Sequence, residues 1–288
     1  MNTLTLPTIS PHRGAAIQTR GAAIQTSRAA IQEFSRAAVQ PSCKPEASKI
    51  PHPRDNLLLA SLPQAEWDRW APCLELVNLP LGQVLSESGR AAAYVYFPTT
   101  AIVSLLYMTV DGASSEFAVV GKDGVVGISL FMGGNATPSQ AVVQSRGWAY
   151  RLRAQAARDE IHRAGPVLMM MLRYTQDLIA QVAQTAACNR YHSIEQLLCR
   201  RLLLSLDRVP SLVLFMTQEL LANLLGVRRE GVTAAAQKLQ QAGLIRYSRG
   251  RIDVLDRKRL ERHIDNPVGE SDQANHEFFS ARSLPLAA

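Results

Sequence analysis

Between Met216 and Leu255 the apolar positions fall in two helical frames and then in two short runs. Leu220, Leu221, Leu224 and Leu225 share one side of a first helix. Gly226 follows at once, where the chain must turn sharply. Arg228, Arg229 and Glu230 open a second helix whose inner side carries Val232, Ala235, Ala236 and Leu239. Gly243 stands where a helix ends on a left-handed residue. Leu244–Tyr247 and Arg251–Leu255 then make two strands around Ser248, Arg249 and Gly250. The pattern predicts a winged helix-turn-helix. Its second helix has the size and charge to enter a DNA major groove.

Upstream, the period changes twice. Asn56–Trp70 has a helical pattern. After it come short apolar runs between turn residues: Val84–Leu85, Tyr94–Phe97, Ile102–Met108, Glu116–Val120, Gly127–Phe131, Gln140–Gln144 and Ala149–Leu152. Many short strands broken by glycines predict a sandwich or barrel. From Ala154 the period becomes helical, and after Gly165 and Pro166 a long helix runs from Val167 to about Asn189. Leu168, Met171, Leu178 and Val182 form one seam of it, and Leu172, Ile179, Ala183 and Ala186 another. A helix apolar on two sides needs two partners. The expected partners are its own β-domain and the same helix of a second chain, the alternative being burial within one subunit. A further helix, Ser193–Leu206, sets Arg200 and Arg201 beside its leucines.

The first 54 residues differ in kind. RGAAIQT begins at Arg13 and again at Arg20, with weaker copies from Arg28 and Arg36, before a proline-rich stretch. This reads as a disordered leader grown by duplication. The predicted divisions are a leader over 1–54, a β-domain over 55–164, a dimerisation helix over 165–191, a DNA-binding domain over 192–264 and a flexible tail over 265–288.

Charge sharpens the picture. The chain of 288 residues carries a formal net charge of +7. Residues 208–264 hold +6 of it, whereas residues 51–160 are net −2. Phosphate attraction follows local cationic charge, so the C-terminal segment is the nucleic-acid face. Cys43, Cys73, Cys188 and Cys199 are far apart and form no zinc or disulfide framework; they read as reduced thiols of a cytoplasmic protein. No apolar run spans a bilayer and no secretory signal is visible. The glycines from Gly121 to Gly134 lack the Gly-Lys-Ser/Thr ending of a phosphate loop, and the six histidines show no helix-spaced metal pair. No catalytic constellation emerges, so no enzyme, cofactor or metal is expected.

Gly226, Arg229, Glu230, Val232, Leu239, Gly243, Leu244 and Ile245 resemble the G-x-x-R-E-x-V…L…GLI pattern of the Crp/Fnr family of bacterial transcription regulators. The resemblance extends over residues 55–264. It implies an α+β chain with an N-terminal jelly-roll-like β-roll effector domain, a long dimerisation helix and a C-terminal winged helix-turn-helix. It also implies a homodimer on a two-fold symmetric operator that recruits or blocks RNA polymerase. Members that bind cyclic nucleotides carry a Gly-Glu pair and then an Arg-Ser or Arg-Thr pair in the roll. Here Ile128 stands in the glutamate position, Pro138 and Ser139 stand near the basic pair, and no arginine lies between Lys122 and Arg146. A phosphate there would lack its charge-assisted bonds, so no cyclic-nucleotide control is expected and the effector is unknown. Only Cys43 and Cys73 lie in the N-terminal half, which does not support the iron–sulfur cluster of oxygen-sensing members.

The expected DNA-contacting residues are Arg228, Arg229, Glu230, Thr233, Gln237, Lys238, Arg246, Arg249 and Arg251. Arg229 can bond guanine O6 and N7 together. Glu230 either accepts from a cytosine amino group or serves as a first-turn acid on the helix dipole. Arg228 fills a slot that relatives give to a small hydroxyl cap, and an arginine cannot accept the free backbone N–H bonds. Ala234 replaces the second arginine of relatives, so the operator should differ from theirs. Gly231 costs roughly 1 kcal/mol inside a helix and admits either DNA or the first helix. Thr233, Gln237 and Lys238 share the outward face. Arg246, Arg249 and Arg251 on the wing supply phosphate contacts. The alternative is a ligand- or partner-binding signalling module in which DNA binding is secondary.

Overall fold

The computed structural model describes residues 50–108, 114–134, 136–209 and 212–264. Most of the leader (1–49), the tail, Cys43, His12 and His276 lie outside these residues.

The described chain begins on the surface of the β-domain. Tyr150 donates its hydroxyl to the Pro51 carbonyl at 2.9 Å. Asn56 is fully buried; its amide donates to the Pro98 and Gly124 carbonyls, and its oxygen accepts from the N–H groups of Leu58 and Leu59. One asparagine thus caps helix α1 (Leu57–Ala60) and ties it to two loops of the roll. Pro63 separates α1 from α2 (Gln64–Trp70), so the single helical stretch read over Asn56–Trp70 is two helices.

Seven antiparallel strands follow: β1 (Glu75–Leu79), β2 (Val84–Ser86), β3 (Tyr94–Pro98), β4 (Ile102–Met108), β5 (Ser114–Val120), β6 (Ser139–Ser145) and β7 (Gly147–Arg153). They form two sheets, β1-β7-β3 and β2-β6-β4-β5. Strand alternation sorts the side chains into layers. Leu79, Tyr96, Val103, Val120, Val126, Ala141, Val143 and Ala149 fill the space between the sheets. Val95, Phe97, Tyr150 and Leu152 turn the other way, onto Leu59, Trp70, Val167 and Met171 of the helical layer. Leu106 and Val142, on the outer face of the second sheet, join the core of the C-terminal domain. That sheet is therefore buried on both sides.

One expected strand is not a strand. Gly127–Phe131 reads as a short apolar run, but Ile128–Met132 is a 3-10 turn bracketed by Gly127 (φ 96) and Gly133 (φ 79). Its Leu130 and Phe131 reach into the helical-layer core, and apolar content alone does not distinguish such a turn from a strand.

Helix α3 (Ala154–Arg163) leads to α4 (Pro166–Tyr191), with proline at its first turn where no N–H is needed. Val167, Met170, Met171 and Cys188 of α4 are buried against the chain's own domains. Helix α5 (Ile194–Leu206) opens on a capping box, Ser193 with Gln196. Strand β8 (Val213–Phe215), helices α6 (Gln218–Leu225) and α7 (Arg229–Gln241), strands β9 (Ile245–Ser248) and β10 (Arg251–Val254), and helix α8 (Arg257–Ile264) follow among the described residues. The three strands pair in the order β8-β10-β9. Leu198, Leu202, Leu220, Leu221, Val232, Leu239, Ile252 and Leu260 are the centre of this domain's core. Each leucine or isoleucine there contributes roughly 1.5–3 kcal/mol by burial.

Candidate nucleic-acid interface

The recognition unit is built from its caps inward. Thr217 accepts the Leu220 N–H at 3.1 Å and starts α6. Gly226 ends it in the left-handed region (φ 65), so the chain reverses within one residue before Arg228. Arg228 occupies the N-cap of α7 and makes no side-chain cap bond. The first N–H groups of α7 and the helix dipole therefore face outward together with exposed Arg228, Arg229 and Glu230. Val232, Ala235, Ala236 and Leu239 bury the opposite side. Gly243 (φ 69) closes the helix, and the Leu244 N–H reaches back to the Leu239 carbonyl at 2.9 Å.

The expected contact residues divide into two groups. Arg228, Arg229, Glu230 and Gln237 on α7 are exposed, as are Arg246 and Arg249 on the wing. The other three have partners within the molecule, although Lys238 and Arg251 are exposed as well. The Thr233 hydroxyl lies 2.8 Å from Gln218 Oε1 and 3.0 Å from the Arg229 carbonyl, and so ties α7 to the start of α6. Lys238 pairs with Glu195 of α5, and His263 of α8 lies 3.8 Å from the same carboxylate. Arg251 places Nε and Nη2 at 3.0 and 2.8 Å from Asp253 Oδ1. Gln218, Glu195 and Asp253 were missed from sequence. The first two act across 15 and 43 residues of chain, and periodicity carries no signal of such pairs.

A Cβ at Gly231 would fall 2.8 Å from Ile194 Cδ1, the tip of a side chain at the start of α5, so the glycine also gives room to α5. Tyr247 braces the wing: its hydroxyl donates to the Met216 carbonyl at 2.7 Å, and burial pushes the phenol up, so it stays a donor.

The wing tip is strained. Arg249 and Gly250 have φ of 48° and 79°, and Ser248 pairs directly with Arg251. A two-residue hairpin of this hand favours asparagine followed by glycine. An arginine in the left-handed region costs of order 1–3 kcal/mol, and such strain concentrates at working positions. Arg249→Asn is therefore expected to raise stability by about 1 kcal/mol in thermal unfolding. Affinity for random and preferred duplex should fall together, with the salt slope reduced by about one phosphate's worth. Unchanged affinity would remove Arg249 from the interface.

In the β-roll, the turn after Gly127 and the Pro138–Ser139 pair carry no cationic side chain. The turn after Gly127 presents Ile128, half-buried against the helical layer. The Pro138 carbonyl accepts from the Ser88 hydroxyl at 2.9 Å, and Ser139 donates to the Thr137 hydroxyl at 3.0 Å. Arg151 is held by Glu75 at 2.8 Å and by the Tyr94 ring at 4.2 Å. Burial pushes the Cys199 thiol up to about 12, so it is an inert packing group. Among the described residues no cluster of His, Cys, Asp and Glu can hold a metal, and no helix is long and apolar enough to cross a membrane.

A two-sheet roll, a long helix and a winged helix-turn-helix in this order define a two-domain regulator with a DNA-binding head. A family model described as a cyclic nucleotide-binding domain matches residues 76–164, and one described as a Crp-like helix-turn-helix domain matches residues 197–263. The chain belongs to the Crp/Fnr family of transcription regulators. Among solved structures it is similar to FixK2 from Bradyrhizobium japonicum (16% identity, TM-score 0.57, covering 68% of this chain and 99% of that one). It is also similar to TTHA1359, a Crp/Fnr transcriptional regulator of Thermus thermophilus (21% identity, TM-score 0.54, 67% and 99%). A third is the c-di-GMP-responsive global regulator CLP of Xanthomonas campestris (15% identity, TM-score 0.54, 67% and 100%). At these identities the likeness is one of fold. No curated protein matches the sequence.

Proposed function

We propose that this chain binds a two-fold symmetric DNA operator as a homodimer through α7 and its wing, and that cyclic nucleotide does not control it. The observation that carries the reading is the exposed, dipole-aligned cluster of Arg228, Arg229 and Glu230 at the start of α7. Arg229 is the residue for guanine, and Glu230 is placed to accept from the neighbouring cytosine or to orient Arg229. Gln237 extends the reading face one helical step further along. Arg246 and Arg249 bind the backbone without reading sequence.

Support for pairing comes from α4. Met169 (54% exposed), Leu172 (46%) and Ile179 (63%) lie in one line with exposed Ala183 and Ala186. The spacing from Leu172 through Ile179 to Ala186 is a heptad, while the inner side of the same helix rests on the chain's own roll. A row of large apolar residues facing water costs solubility and gains nothing, and a second α4 covers it. Two paired copies also present two recognition helices, which a symmetric operator requires.

Absence of nucleotide control rests on the uncharged side chains at Ile128, Pro138 and Ser139 described above. Selection of bound duplexes from a random pool, with and without cyclic nucleotides, tests both halves of the proposal. The expected product is an inverted repeat with a guanine in each half-site, identical in all conditions. A direct repeat, or a site recovered only with nucleotide present, would overturn it.

A further inference from the structure

The outer face of sheet β2-β6-β4-β5 is covered by the DNA-binding domain, and the centre of that contact is polar. Arg201 of α5, with only 3% of its side chain exposed, bonds the Glu116 carboxylate on β5 and the Gln144 amide oxygen on β6. Ser104 on β4 donates to the same amide oxygen at 3.1 Å. Glu116, Gln144, Ser104 and Arg201 are all buried. Gln144 continues the chain of contacts, its amide nitrogen lying 3.8 Å from Met216 Sδ at the approach to α6. A second pair sits at the rim, where Arg208 holds Asp123 at 2.8 Å. Gly121 makes room for it, since a Cβ there would come within 2.7 Å of Arg208 Cγ.

The covalent joint between the long helix and this domain is slight by comparison. Only His192 and Ser193 separate α4 from α5. The last turns of α4 expose Ala186, Ala187, Asn189, Arg190 and Tyr191. A two-residue joint fixes where the domain starts but not its angle. The apolar neighbours Leu106 and Val142 supply attraction without direction. A guanidinium fork shared between a carboxylate and an amide has direction, and a buried one tolerates few alternatives because every misaligned geometry leaves a charge unpaired. With the domain docked in this way the start of α7 remains exposed.

We propose that the buried Glu116–Arg201–Gln144 contact locks the DNA-binding domain onto the roll in its duplex-reading orientation, a task that needs no bound small molecule. The proposal rests on the DNA-binding reading above. It makes the roll a fixed platform for the recognition helix, and the angle between the two recognition helices of a dimer is then set by β5 and β6.

The test uses the full chain with Cys43→Ser, a spin label on exposed Cys73 of the roll and a second on Lys258→Cys of α8. With the labelled chain diluted in excess unlabelled chain, so that each dimer carries one labelled copy, the distances without DNA should form one narrow distribution. They should broaden in Glu116→Gln and in the double variant Glu116→Leu/Arg201→Leu. The double variant removes both charges of the pair and so leaves neither buried without its partner; it remains informative if Glu116→Gln fails to fold. The double variant should also lose at least ten-fold in affinity for the selected duplex, accept a wider range of half-site spacings, and hold random duplex within two-fold of the parent. An unchanged distance distribution, or equal or tighter operator binding, overturns the lock. A parent protein that prefers no duplex contradicts the DNA-binding reading beneath it.

Discussion

Ile179→Glu is expected to convert the protein into a folded monomer that has lost its paired operator. Ile179 is 63% exposed in the single chain, so the substitution removes nothing from the chain's own core. In the pair it lies on the seam with Leu172 and Ala183. Two symmetry-related isoleucines lose roughly 1.5–3 kcal/mol of burial each. Two glutamates face each other in their place, and like charges in a desolvated seam add further cost. Dimer affinity should fall by at least about 3 kcal/mol, more than a hundred-fold. Sedimentation should show a monomer with an unchanged melting temperature, and operator binding should drop to the level of a single half-site. A persistent dimer would place the interface elsewhere.

Arg229→Ala should produce the second-largest effect, and a selective one. A bidentate arginine–guanine contact is worth about 1–3 kcal/mol of discrimination. A dimer makes it twice, so operator affinity should fall by roughly 2–6 kcal/mol, about thirty-fold at the least. Random-duplex affinity should change far less, by the share of one exposed cation per half-site. The guanine preference at that position should relax to near equality when selection is repeated. Equal losses on both duplexes would make Arg229 a backbone contact.

Much of this site is legible in the sequence, because its signals are local. Gly226 and Gly243 bracket α7, and the apolar stripes of α6 and α7 are unbroken. The two φ-positive residues of the wing tip also fall where the turn was read. Of the two seams read on α4, Leu172, Ile179, Ala183 and Ala186 are exposed, whereas in the other only Met171 is buried, and Val167 and Met170 beside it share the contact with the roll. What periodicity missed has physical reasons. Strand β1 sets Leu76 and Val77 side by side and buries Leu79 alone, so it lacks the period-two alternation that marks a strand. Helix α8 is so charged that only Leu260 and, at its end, Ile264 reach the core. The run at Ile128 satisfies its backbone in a turn rather than a ladder. The tethers of Thr233, Lys238 and Arg251, and the lock on Arg201, depend on partners that only the folded chain brings together. Arg201 has the same charge as its neighbour Arg200, and nothing in the local pattern shows that it alone reaches Glu116.

The claim on which the rest depends is that the basic face of α7 and its wing lies on duplex DNA and reads base edges. Fluorescence anisotropy of the full chain on the selected duplex and on a scrambled one, across a range of salt, tests it most directly. The account predicts steep, parallel losses of affinity with rising salt, because both duplexes share the phosphate contacts. It also predicts a gap of at least a thousand-fold between them that survives throughout. Salt-insensitive binding, or two curves that coincide, would contradict it.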